Sequence, residues 1–232
     1  MEFSYNQYHE ILKMLMENKY VPQAIGIFQE NKKVLFLRHD VDIDYHGVLP
    51  MARIENELQI TSTWYFLPDC PVYNLCSDPI KDIIKQLSEW EHTIGLHIDA
   101  SQYSSFEDLA DGLNRYFDFF SKVLPLSKTF SFHKPAKGLL ANLHVQGWVN
   151  AYADEYFSNV VYVSDSNRRK FFYEDRLKNA ITNNNPITLL THPLWWHEEI
   201  ADPEKTYELA CEKIGSRAVG EYLSKTCKLY SS

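Results

Sequence analysis

The chain has 232 residues, 45% of them hydrophobic, which suffices for one sizeable core and lies in the upper part of the single-domain range. Glycine (8) and proline (10) are sparse, which excludes fibrous and disordered classes. A net charge of −8 argues against nucleic acid and anionic membranes as partners, and leaves neutral sugars and small metabolites open.

Residues 1–20 form an amphipathic pattern with charges throughout, which predicts a helix over about 5–18. The pattern lacks the basic start, continuous apolar stretch and cleavage site of a signal peptide. No apolar run approaches the roughly 18 residues of a membrane span. A soluble cytoplasmic protein is expected. The cysteines Cys70, Cys76, Cys211 and Cys227 form no C-x-x-C pair and read as reduced thiols.

Helix and strand patterns then alternate. Val34–Arg38 (VLFLR) is a short apolar run bounded by charge, and Met51–Leu58 reads as helical. Ser62–Leu67 (STWYFL) is β-branched and aromatic, hence a strand. Asp78–Trp90 opens with Asp and Pro and continues with apolar residues at helical spacing. Thr93–His97 (TIGLH) is a strand, Ser105–Leu124 a helix, Thr129–His133 (TFSFH) and Val160–Ser164 (VVYVS) are strands, Glu174–Thr182 is helical, and Ile187–Thr191 (ITLLT) is a strand. Pro203–Tyr222 closes the chain as a helix with a solvated face. Strands separated by helices predict an α/β protein with a parallel sheet, and about seven strands in one domain favour barrel-like closure.

Five of these strands end on histidine or aspartate. VLFLR runs into His39-Asp40-Val41-Asp42, TIGL ends at His97, TFSF at His133-Lys134-Pro135, VVYVS at Asp165, and ITLLT at His192-Pro193. In parallel α/β folds the functional groups gather at the carboxyl ends of the strands. Asp40 and Asp42 project to one side of an extended backbone, and two close carboxylates repel unless a cation lies between them or one takes a proton; a divalent metal is the natural resolution. One can then ligate a divalent metal while the other serves as base for a water. A neutral imidazole at His97 suits zinc or a similar metal. His92, five residues earlier, faces the other side of its strand and reads as structural. His192 stands beside Trp195 and Trp196, which suggests an acid over an aromatic floor suited to a sugar ring. His133 and Lys134 could supply a ligand and an oxyanion-stabilising cation.

The strings LRHDVDID, IGLH, SFHKP, SDS and LLTHPLWW, in this order from about Leu35 to Trp196, resemble the polysaccharide deacetylase superfamily of NodB homology, or carbohydrate esterase family 4. More narrowly they resemble its H-D-V-D branch, associated with surface-polysaccharide biosynthesis. The resemblance implies a distorted (β/α) barrel of about seven strands. It implies one domain over residues 1–232, with an N-terminal helix (1–20) and a C-terminal helix (203–226) packed on the barrel. It also implies metal-dependent hydrolysis of an N-acetyl or related amide bond, with zinc as the expected metal. The expected substrate is a small carbohydrate or a nucleotide-sugar-like molecule. By position, Asp40 resembles the catalytic base, Asp42 the metal carboxylate, His97 the first metal histidine and His192 the general acid. Arg38, Lys134, Trp195 and Trp196 are expected to contact substrate.

One position departs from the family pattern. The usual second metal histidine, four residues after the first, is here Ser101, a poor ligand. His133 is the expected replacement, because it ends the neighbouring strand, and Asp99 is the weaker one. The vacancy also motivates a different reading, a carbohydrate-binding or scaffold protein with a decayed site. A third reading takes D-V-D as the D-x-D of a phosphatase or glycosyltransferase. The first of these usually wants Thr or Val where this chain has Asp44, and the second needs no histidine set at strand ends.

Overall fold

The computed structural model describes residues 3–27, 33–133, 143–166, 170–200 and 202–226. In chain order the helices are α1 (Tyr5–Glu17), α2 (Val48–Glu57), α3 (Asp78–Glu89), α4 (Phe106–Phe120), α5 (Lys170–Thr182) and α6 (Pro203–Thr226). The strands are β1 (Val21–Pro22), β2 (Val34–Val41), β3 (Thr63–Phe66), β4 (Thr93–Asp99), β5 (Thr129–His133), β6 (Val149–Asn150), β7 (Val161–Ser164) and β8 (Ile187–Thr191).

All the ladders are parallel, and the sheet runs β6-β5-β4-β3-β2-β8-β7, with β1 paired to the start of β2. From β2 the order proceeds through β3, β4, β5 and β6 on one side, and through β8 and β7 on the other. That is the cyclic order of a (β/α) barrel, interrupted between β6 and β7, where no ladder forms among the described residues. The sheet curls into a distorted (β/α) barrel, and every strand points its carboxyl end to the same rim.

The helices form for local reasons and cover the outside of the sheet. In α3, Asp78 and the proline after it open the first turn, and Ile80, Ile83, Ile84 and Leu87 fall on one buried stripe. In α4 the Ser105 hydroxyl accepts from the Asp108 N–H at 3.1 Å, and Glu107 and Asp108 sit in the first turn, where the helix dipole favours them. In α1, Tyr8, Leu12 and Leu15 are buried against a core that includes Leu35, Leu37 and Val41 of β2 and Met51 and Ala52 of α2.

The period of two sorts each strand. In β2 the residues Leu35, Leu37 and Val41 face this outer core, while Phe36 packs with Tyr65 and Tyr156 in a separate cluster. Gly95 faces the same side as Tyr65. A Cβ there would lie 2.5 Å from the Tyr65 ring and 2.7 Å from the Thr129 carbonyl oxygen, so only glycine leaves room for that tyrosine.

Candidate active site

Asp40 sits on β2 with 2% of its surface exposed. Arg38, two residues earlier on the same strand face, grips it with both prongs: Nε donates to Oδ1 at 2.9 Å and Nη2 to Oδ2 at 2.7 Å. The guanidinium also donates to the Tyr152 hydroxyl at 3.1 Å and lies 4.5 Å from the centre of that ring. Burial alone would raise the Asp40 carboxyl; Arg38, with His97 behind it, overcomes burial and holds it below the ordinary carboxylate value. Expected to touch substrate, Arg38 is fully buried, and its contacts among the described residues are with Asp40, Tyr152 and Tyr65.

Asp42, just past the end of β2, meets two histidines. His133 Nδ1 lies 3.0 Å and His97 Nε2 3.2 Å from the same oxygen, Oδ1. Burial opposes its ionisation, but hydrogen bonds from His133 and His97 drive its carboxyl far below the usual range. One ligand atom from each of Asp42, His97 and His133 falls within 4.8 Å of the others, so these three residues form a group that could hold a metal ion. Two ligand atoms on one tetrahedral zinc, each about 2.1 Å from it, stand roughly 3.4 Å apart. The two separations at Asp42 Oδ1 come close to that spacing, and the donor set of two imidazoles and one carboxylate suits a borderline cation.

The ring of His97 is set by Ser131, whose Oγ lies 2.6 Å from Nδ1. With the proton on Nδ1, His97 donates to Ser131 and keeps Nε2 for a metal. The Ser131 hydroxyl in turn donates to Asp40 Oδ1 at 3.3 Å, so one serine joins the ligand to the neighbouring carboxylate. Ser131 lies two residues before His133 on β5, and the period of two was the sequence signal that could have found it.

His192 stands at the end of β8. Asp165, at the end of β7 and fully buried, accepts from the His192 ring Nδ1 at 2.6 Å and from its backbone N–H at 3.0 Å. Burial would lower the imidazole, but Asp165 outweighs it and raises His192 from 6.5 to about 9. Sequence reasoning gave Asp165 no role. Trp196, expected as a platform for substrate, is also fully buried: its Nε1 donates to Asp165 Oδ2 at 2.9 Å, and its ring packs on Phe3 and Tyr8. An indole N–H that is buried needs such a partner.

These groups share one cleft of about 320 Å³, lined by Asp40, Asp42, His97, His133, His192 and Trp195, with Phe132, Tyr152, Ser166 and Leu190 completing its wall. A larger hollow, of about 500 Å³ beside Tyr162, Arg176 and Asn179, includes none of the residues singled out above. Asp99 caps the short helical turn at Ala100–Gln102, accepting from the Ser101 N–H at 3.0 Å and hydroxyl at 2.6 Å, and stands outside the ligand group. Lys134 lies outside the described residues.

No family model matches the chain, and no curated protein matches it. Three similar solved structures are a Streptococcus mutans CE4 esterase, a family 4 acetyl xylan esterase and a CE4 pseudoenzyme mutant. The first is 17% identical over 84% of this chain and 83% of its own, with a TM-score of 0.46. The acetyl xylan esterase, from Clostridium thermocellum in complex with a cobalt ion, is 16% identical over 81% and 84%, with a TM-score of 0.40. The mutant of the CE4 family pseudoenzyme, with restored enzymatic activity, is 14% identical over 85% and 68%, with a TM-score of 0.44. All three are of carbohydrate esterase family 4, the group whose motif order this sequence resembles.

Proposed function

We propose that the chain is a metal-dependent hydrolase that removes an acetyl or related acyl group from an N-acylated carbohydrate. The observation that carries this reading is one cleft holding a three-residue ligand group, a buried carboxylate pinned beside it and an imidazole raised to about 9. Asp42, His97 and His133 would hold the metal, with zinc as the favoured ion. When bound, such a cation supplies Lewis-acid polarisation of the acyl oxygen and acidifies a water.

Each of the other parts has a task that its surroundings fit. Asp40, ionised beside Arg38, accepts the proton of the attacking water. His192, protonated at neutral pH because Asp165 faces it, gives a proton to the leaving amine. Trp195 offers the cleft its indole as a surface for a sugar ring. Positioned acids and bases of this kind contribute about 10²- to 10⁴-fold each.

The scaffold reading drew on Ser101. Its force is reduced by His133, which offers a third ligand atom without any help from residue 101. A discriminating experiment is turnover of an N-acetylated hexosamine oligomer by the metal-supplemented chain. Asp40→Asn and His192→Ala should each lower kcat by at least about 10²-fold. Undiminished turnover in either variant, or none in the parent with zinc, cobalt or manganese, would defeat the proposal.

A further inference from the structure

Against the outer core, on the face of β2 opposite Asp40, lies a second set of buried polar groups that this chemistry does not use. Tyr8, His39, Glu55, Ser62 and Thr191 are all fully buried. Glu55, on α2, accepts from the Tyr8 hydroxyl at 2.6 Å and from the Ser62 hydroxyl at 2.5 Å. His39 Nε2 lies 3.0 Å from Glu55 Oε1. His92 Nδ1 accepts from the Ser62 N–H at 3.1 Å. Burial works against a charged Glu55, and His39 overcomes it and lowers that carboxyl. On its other edge, His39 Nδ1 stands 2.7 Å from Thr191 Oγ1, and its ring stacks on Trp64 at 3.8 Å.

The place of this contact in the sheet gives it meaning. His39 and Thr191 are the last paired residues of the ladder between β2 and β8. The next residue on β2 is Asp40, and the residue that follows β8 is His192. Past that rung the backbone N–H of His192 turns to Asp165. The end of β8 is therefore held from the β7 side by Asp165 and from the β2 side by the His39–Thr191 contact.

We propose that His39, backed by Glu55 and Trp64, is a positioning residue that fixes the spacing between Asp40 and His192 through Thr191. This rests on the hydrolase reading for its catalytic consequence, while its structural content can be read separately. Acid and base on two different strands must both meet one substrate, and a misplacement of about 1 Å can cost roughly 10²-fold. A side-chain clamp at the final rung, where backbone pairing stops, is where such slack would otherwise enter.

Thr191→Val is the test, because it keeps shape and strand preference and removes only the hydroxyl. Thr191→Ser, which restores the hydroxyl, is the conservative control. Thr191→Val should lower kcat about 10- to 100-fold. KM and metal affinity should stay within about twofold, since none of Asp42, His97 and His133 lies on β8 beside Thr191. A readout independent of turnover is the proton resonance of His192 Nδ1–H in its hydrogen bond to Asp165. It should move or broaden in Thr191→Val and stay in place in Thr191→Ser. If the parent shows no turnover, the hydrolase reading falls and the resonance alone decides the positioning role. A folded Thr191→Val with parental kcat, or with an unmoved resonance, overturns the proposal. Should Thr191→Val fail to fold, Glu55→Gln takes its place: a shifted resonance supports the clamp and an unshifted one overturns it.

Discussion

Arg38 shows how much a residue's surroundings depend on its depth along a strand. Beside His39 and Asp40 at a strand end, an arginine reads as a substrate contact. A strand rises about 3.3 Å per residue, so Arg38 lies some 6–7 Å deeper than Asp40 on the same face. There, among the described residues, it meets Asp40, Tyr152 and Tyr65. Replacing it with Met would leave a buried carboxylate without its partner, which typically costs about 3–5 kcal/mol. For a chain of this size that corresponds to a Tm lower by roughly 6–20 °C. Thermal denaturation checks it, and Arg38→Met with Asp40→Asn together should lose less than the sum of the two. Because the folded-state value of Asp40 is depressed, the pair's contribution is present above the unfolded carboxylate value of about 4 and is lost as pH falls below it.

His192 carries the opposite sign. Its folded value is raised from 6.5 to about 9. The stability it contributes is therefore fully present below pH 6.5 and is lost as pH rises through about 9. Activity should fall on the alkaline side with the same group, and Asp165→Asn should bring that limb down toward neutrality. A kcat profile against pH measures both. The place of Asp165 at a strand end was legible in advance but its role was not, because that role depends on β7 and β8 closing side by side, and no local pattern in SDS announces a partner 27 residues away.

At the scale of elements, the apolar runs that end in His or Asp gave the strands, and β5 and β8 have the expected bounds. β2 is longer than expected, continuing through His39, Asp40 and Val41, because its polar residues are paired inside the protein and need no solvent. The two-residue strands β1 and β6 are too short to show any period. His133 stood out as a possible ligand because it ends its strand, and the departure at Ser101 made it the expected third one; it ends the strand paired to β4 in register. Gly95 sits on β4 two residues before His97, and its missing side chain makes room for Tyr65. Gly95→Ala should therefore cost about 1–3 kcal/mol of stability by overpacking, read from the denaturant midpoint at unchanged slope.

For the whole molecule, one consequence of the barrel is that the candidate base, ligands and acid come from β2, β4, β5 and β8, so the site exists only once the sheet has curled. No helix among the described residues is long and apolar enough to cross a membrane. A bound ion would cross-link three of these strands, and at 100 times its Kd it should stabilise the chain by about 2.7 kcal/mol. Chelation should lower Tm accordingly and readdition should restore it. The most direct test of the central claim is calorimetric titration of the whole chain with zinc, alongside His133→Ala. The account predicts one equivalent bound by the parent and at least about a tenfold weaker site in the variant. No binding by the parent, or equal binding by His133→Ala, would contradict it.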